Sequence, residues 1–347
     1  MQPRNFTILV AITGVSVVLA AGALLIQDRP LTSTALNQLL APDLAARIND
    51  VGRIQVIGSE GAVTVERREA GNWVVVEKGG FAADEKAVLT LLRKLGELRV
   101  VEAKTALPER LPRLELEDPK VPEAKSHGLV LQDQAGTPIA SLVVGKRAFG
   151  MFGPGQTGTY VRFADASQAY LTDSEITLPA GATEWISSEV IDLPEDRVKL
   201  VSLEPENGVL VTASRASADA PAFDLAGIPT GQAADQAKLG ELARLFSQLS
   251  LLDVRPAAEV AFYEAPQRVR VETFDGLTVV FTWLSLPEAS WLKVDTVTAA
   301  DTAAPEVKEE AARIAARTEG WAFHVGGYIT EQLSQKLDDL LVKPEES

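Results

Sequence analysis

Residues 82–102, AADEKAVLTLLRKLGELRVVE, and residues 233–253, AADQAKLGELARLFSQLSLLD, open on the same Ala-Ala-Asp triplet and close on Leu, a polar residue, two apolar residues and an acid. An Asp ahead of an apolar-periodic run is a helix N-cap, because its carboxylate accepts from the backbone N–H groups that the first turn leaves unpaired. In the first stretch Val88, Leu91, Leu92, Leu95 and Leu98 fall on one helical face, and Arg99 to Glu102 leaves the helix as an extended segment. The chain on either side is read from this pair.

Upstream of the first helix, Arg53-Ile-Gln-Val-Ile57 and Val63-Thr-Val-Glu-Arg67 alternate with a period of two and Trp73 to Glu77 follows, which predicts three antiparallel strands. Upstream of the second, Arg197-Val-Lys-Leu-Val201 matches the first strand, Gly208 to Arg215 matches Gly61 to Arg68, and Phe223 stands in the place of Trp73. The offset rises from 144 residues (Arg53 to Arg197) to 151 (Asp84 to Asp235), as a longer hairpin around Ser214 to Ala222 would require. Recurrence of one order of signals at a long period points to an internal repeat. Each copy continues with strands: Gly128 to Asp133, Pro138 to Val144, Thr159 to Ala164 and Gln168 to Leu171 in the first, then Arg268 to Thr273, Leu277 to Leu284, Trp291 to Val297 and Trp321 to Val325 in the second. A short helical stretch around Trp185 closes the first copy, and Thr330 to Val342, with Leu333, Leu337, Leu340 and Leu341 on one face, closes the second.

One segment breaks the parallel. Ala299 to Gly320 carries Pro305 at a helix start, Glu306, Glu309 and Glu310 early, and Arg313 and Arg317 late, a charge order that suits the helix dipole. Its apolar stripe of Val307, Ala311 and Ile314 is thin, so the expectation is a loosely packed, mobile excursion and a candidate partner-binding element.

The N-terminal residues 6–26, FTILVAITGVSVVLAAGALLI, hold no charge. As a helix they would reach about 30 Å, the thickness of a bilayer's hydrocarbon core. Arg4 on one side, against the cancelling Asp28 and Arg29 on the other, puts the N-terminus in the cytoplasm and the body outside. Signal-peptide cleavage after Ala21-Gly22-Ala23 is the alternative; against it the apolar run continues through Leu24, Leu25 and Ile26. The expected organisation is therefore a cytoplasmic N-terminus and membrane anchor over residues 1–27, a tether with short helices around Pro42 over 28–50, and α+β repeats over 51–193 and 194–347. The expected fold class is α+β: an N-terminal transmembrane helix followed by two duplicated antiparallel-sheet-plus-helix units.

Composition narrows function by exclusion. A net charge of -15 argues against nucleic acid and anionic lipid surfaces as partners, since both require clustered Lys and Arg. The absence of cysteine removes disulfides, thiolate nucleophiles and cysteine metal sites, and two histidines, His127 and His324, rule out a histidine-rich centre while leaving an all-oxygen site open. Gly153-Pro-Gly155-Gln-Thr-Gly158 fits the spacing of a dinucleotide loop, but Thr159-Tyr-Val-Arg162 reads as a strand where that loop must open a helix. Val144-Gly-Lys-Arg147 lacks the Ser/Thr and the upstream Gly of a phosphate loop. Adjacent Ser126 and His127 point to opposite faces of an extended chain, and Glu115, Glu117 and Asp118 lie in a proline-bounded acidic loop with no sign of a cleft. No catalytic residue, metal or cofactor is expected. Lys104, Arg110, Arg113, Lys146, Arg147 and Arg162 form a candidate anion- or partner-binding patch if the fold brings them together, and are otherwise solvated charges.

At Leu44-Ala-Ala-Arg-Ile-Asn-Asp-Val-Gly-Arg-Ile-Gln-Val56, Gly79-Gly-Phe-Ala-Ala-Asp84, Leu142-Val-Val-Gly-Lys-Arg147, Gly158-Thr-Tyr-Val-Arg162 and Trp185 to Pro194 the sequence resembles a bacterial family known as domain-of-unknown-function family 4340. The likeness covers most of residues 40–215 and brings no catalytic motif. It implies a single N-terminal anchor, an extracytoplasmic body and company with transporters of the ATP-binding cassette type, including gliding-motility-like auxiliary proteins. The expectation is a non-enzymatic, membrane-anchored periplasmic protein, held in the inner membrane through residues 6–26, that serves as an accessory or substrate-contacting subunit of such a transporter. A periplasmic carbohydrate-active enzyme and a module binding an envelope polymer are the alternatives.

Overall fold

Alternating apolar and polar residues pay their way only when one sheet face is covered, and the longest alternating runs here become the strands on which both large sheets are built. The computed structural model describes residues 37–59, 61–150, 157–204, 210–263 and 266–342. The expected anchor at residues 6–26 lies outside them. No helix among the described residues is long and apolar enough to cross a membrane.

The first sheet has nine strands: β1 (Val51–Gly58), β2 (Gly61–Arg67), β3 (Trp73–Val75), β4 (Phe81–Ala82), β5 (Val100–Ala103), β6 (His127–Asp133), β7 (Pro138–Phe149), β8 (Thr157–Phe163) and β9 (Ala169–Thr172). Their spatial order is β4-β3-β2-β1-β6-β7-β8-β9-β5. A short pair joins β10 (Glu189–Ile191) to β14 (Leu249–Ser250). The remaining strands are β11 (Val198–Glu204), β12 (Val211–Ser214), β13 (Asp224–Leu225), β15 (Asp253–Pro256), β16 (Gln267–Thr273), β17 (Leu277–Ser285), β18 (Ser290–Ala299) and β19 (Trp321–Val325). They form an eight-stranded sheet ordered β13-β12-β11-β16-β17-β18-β19-β15. Strand for strand, this is the order of the first sheet without its β4.

Among the described residues the helices are few: α1 (Pro42–Arg47), α2 (Glu85–Glu97), α3 (Gln236–Arg244), α4 (Pro305–Thr318) and α5 (Gly327–Leu333). The expected α+β class is thus corrected, for the described residues, to a predominantly antiparallel β architecture of three sheets. The physical reason lies in element length. Leucines at helical spacing between residues 36 and 48 produce only the six residues of α1, which starts at Pro42, and the stretch around Trp185 is one 3-10 turn, Ala182–Trp185. The expected helix over Thr330 to Val342 divides into the end of α5 and a 3-10 turn at Leu337–Leu340. Strand β7, by contrast, runs for twelve residues, five past its expected end.

The two Ala-Ala-Asp starts are held alike. Asp84 Oδ1 accepts from Ala87 N at 3.0 Å, and Asp235 Oδ1 accepts from Ala237 N at 3.1 Å. Each Asp also donates its own N–H to the end of a 3-10 turn, Asp84 to Trp185 O at 2.7 Å and Asp235 to Leu340 O at 2.9 Å. Val88, Leu91, Leu92 and Leu95 of α2, with Leu98 just beyond it, are all buried. Leu239, Leu242 and Ala243 of α3 are buried too, and Phe246 after it stacks on Phe281 of β17 at 5.7 Å.

Two compact units emerge: one comprises the chain up to Ala62 together with Leu89–Leu178, the other Val63–Val88 together with the chain from Pro179. In the first unit a 3-10 turn, Pro108–Leu114, lies on the sheet through Leu111 and Leu114, which pack with Leu116, Val143, Tyr160 and Ala169. In the second, Phe81 meets Trp321 edge-on at 5.0 Å and Phe323 at 6.1 Å, while Lys78 Nζ reaches Asp253 Oδ1 at 2.5 Å.

Candidate functional site

The six basic residues of the sequence-predicted patch all lie in the first unit, and the structure ties several of them to separate neighbours. Lys104, just past β5, pairs with Glu102 at 2.6 Å, and Arg147 on β7 pairs with Glu175 at 3.1 Å. Arg162 on β8 is half-buried: its Nε donates to Leu116 O at 2.8 Å and its Nη1 to Phe163 O and Ala164 O at 3.1 and 3.0 Å. Burial pulls the Arg162 guanidinium below the usual arginine range, with nearby Asp118 opposing. This arginine clamps the loop after the 3-10 turn onto the sheet. Arg110 and Arg113 are exposed on the turn itself, and Lys146 is exposed on β7. Among the described residues no hydrogen bond or ion pair gathers the six around one point.

Lys146 and Gly145 occupy a β-bulge, where the pairing of β7 with β8 skips from Val144↔Val161 to Arg147↔Thr159. A Cβ on Gly145 would stand 2.3 Å from Leu114 O and 2.7 Å from Glu115 O. The Val-Gly-Lys-Arg motif is therefore a packing device that admits the 3-10 turn's carbonyls against β7. Gly158 and Thr159 to Arg162 lie in strand β8, while Gly153 and Gly155 fall outside the described residues. Ser126 Oγ donates to Glu117 O at 2.9 Å, and Glu117 Oε1 accepts from Lys125 N at 2.7 Å. These two residues brace the acidic loop. Among the described residues no group of three or more His, Cys, Asp and Glu is placed to hold a metal ion.

The second unit carries two surface grooves. A groove of about 470 Å³ crosses β11, β16, β17 and β18, lined by Ser202, Glu204, Arg268, Arg270, Asp295 and Thr296 among others. A second, of about 460 Å³, runs from β18 to the C-terminal end of α4 and is lined by Lys293, Asp295, Thr296, Thr318, Glu319 and Trp321 among others. Asp295 and Thr296 line both. Of these, only Thr318 and Glu319 fall in the segment that the sequence marks as a candidate partner-binding element, Ala299 to Gly320.

Helix α4 forms one wall of the second groove and is far better anchored than its thin apolar stripe suggests. Val307, Ala311, Ile314 and Thr318 are buried. Arg197 Nη1 and Nη2 grip Glu310 at 3.1 and 2.8 Å, and the same guanidinium reaches Asp275 at 2.9 Å. The bond from Glu310 raises the Arg197 pKa further above an already high value. Burial acts to raise the Asp275 pKa, but the Thr273 hydroxyl and the Arg197 charge outweigh it and leave the carboxyl below its usual range. At the other end Arg317 Nη2 donates to Ser187 O and Glu189 O at 3.0 and 2.6 Å. The expectation of a loose, mobile excursion does not describe this helix.

A family model described as Domain of unknown function (DUF4340) matches residues 73–266, more than half of the chain and extending further toward the C-terminus than the sequence resemblance alone. No curated protein matches the chain.

Proposed function

The chain belongs to the DUF4340 family, and from that premise we propose that it is a non-enzymatic accessory subunit of an ATP-binding cassette type envelope transporter, tethered to the inner membrane through residues 6–26 with its body in the periplasm. The observation that carries the contact reading is α4. The connection between β8 and β9 spans only residues 164–168, whereas the corresponding β18–β19 connection contains a helix held by arginine bonds at its middle, through Glu310, and at its C-terminal end, through Arg317. Lys308, Glu309 and Arg313 are exposed on that helix. A surface held rigid before contact loses little freedom on binding, so such an element favours association. Membrane placement rests on the uncharged run and on Arg4. A tether in the same bilayer as a permease raises the effective concentration of the pair, so a modest protein contact suffices.

The test is affinity capture of the intact chain from its own membranes. Transporter subunits are expected to co-purify, and a chain starting at Leu31 is expected to lose most of them. Recovery of the intact chain alone, with the body hydrolysing a glycan, would replace this reading with that of an enzyme.

A further inference from the structure

The register of β17 with β18 steps from Val280↔Thr296 to Phe281↔Val294, which leaves Asp295 as the extra residue of a β-bulge. In a regular strand two successive side chains face opposite sides of the sheet. Asp295 and Thr296 line both grooves, and the second groove takes five successive residues, Lys293 to Val297, which lie beyond the pairing of β18 with β19 at Ser290 to Leu292. Asp295 is also fixed: Thr282 Oγ1 donates to its Oδ2 at 2.5 Å and Lys293 Nζ approaches its Oδ1 at 2.9 Å. An ionised carboxylate has about four acceptor positions, so two bonds orient it and leave capacity toward the grooves.

The chemistry of the lining is balanced. The two linings hold three acids, Glu204, Asp295 and Glu319, and three bases, Arg268, Arg270 and Lys293, of which Arg270 pairs with Glu272 at 2.7 Å and Lys293 with Asp295 at 2.9 Å. A site for a phosphate or a polyanion would concentrate one sign of charge. This lining instead offers charges of both signs, the hydroxyls of Ser202, Thr296 and Thr318, and the half-buried indole of Trp321. Each groove falls within the size range of about 300–1,000 Å³ usual for small-ligand sites. We infer that the two grooves, which share Asp295 and Thr296, bind a neutral, polyhydroxylated chain, an oligosaccharide, with Asp295 as an acceptor common to both and α4 supplying a wall that the first sheet lacks. This inference stands apart from the transporter reading, because binding in the groove and capture of a membrane partner are separate measurements.

The full-length protein in detergent is titrated with maltohexaose, cellohexaose and chitohexaose by calorimetry and tryptophan fluorescence, with inorganic phosphate as the anionic probe. At least one hexasaccharide is expected to bind saturably and change the tryptophan emission. Asp295→Asn and Thr296→Val, checked for an unchanged melting temperature, are each expected to raise its Kd about tenfold or more, the loss of a polar contact to the sugar. Should one of the two unfold, the other carries the comparison, and Arg270→Ala on the neighbouring strand takes the vacant place. No saturable binding of any of the three sugars up to about 10 mM, the weak limit of useful affinity, would overturn the inference. So would sugar binding that both groove variants leave unchanged, or saturable binding of phosphate in place of sugar.

Discussion

Gly145→Ala is expected to destabilise the first unit by about 3 kcal/mol, at the upper end of what overpacking costs. The new methyl would sit 2.3 Å from Leu114 O and 2.7 Å from Glu115 O. Both obstacles are backbone carbonyls, which no rotamer change can move aside. Relief requires lifting the 3-10 turn Pro108–Leu114, and with it Leu111, from its packing on Val143 and Ala169. Denaturant unfolding read with hydrogen exchange on β6 to β8 measures the loss. Gly136→Ala serves as the comparison: a Cβ there meets nothing within 4 Å, although its φ of +83° adds a backbone cost of its own. A Gly145→Ala effect smaller than that of Gly136→Ala would show that the turn is not pressed against β7.

Arg197→Ala is expected to cost about 2 kcal/mol at neutral pH and to loosen α4 first. The estimate lies between exposed pairs, worth under about 1 kcal/mol, and fully buried ones at about 3–5. Arg197 and Glu310 keep 26% and 17% of their side-chain surface, and Asp275 keeps 38%. Removal of the guanidinium strands both carboxylates together. The pH dependence gives an independent reading. The folded Asp275 pKa is depressed, so its share of the stability is fully present above the unfolded value of about 3.9 and is lost as the pH falls through the lower folded value. The gap between the native protein and Arg197→Ala should therefore narrow below about pH 4. Hydrogen exchange that accelerates in α4 before the rest of the second unit is the expected pattern, and a pH-independent gap would count against the network.

The parts of the fold that sequence displays are those decided locally. Asp84 and Asp235 mark helix starts because capping is a contact within one turn, and the leucines of α2 mark a buried face because their spacing repeats within the helix. Alternation likewise locates β1, β6, β16 and β17. Overall class was misjudged because apolar residues at helical spacing also occur in runs too short to stay helical, as at Pro42 and Trp185. The grip of α4 is invisible in its own stripe because Glu310 meets a partner 113 residues away. Asp295 shows the same limit at the candidate site: a bulge is a mismatch of register between two strands, and neither strand's sequence records it alone. Arg162 and Arg147 look available in sequence, yet their bonds go to Leu116 O and to Glu175.

The most direct test of the account is site-specific photo-crosslinking in intact cells, with the reactive group placed in turn at Lys308, Glu309 and Arg313 on the exposed side of α4. The account predicts adducts with a subunit of an ATP-binding cassette transporter from at least one of these positions, and none from the same group placed at Gly136 at the tip of the β6–β7 hairpin. Crosslinking to no membrane polypeptide from any α4 position, in cells where the protein is folded and membrane-bound, would contradict it.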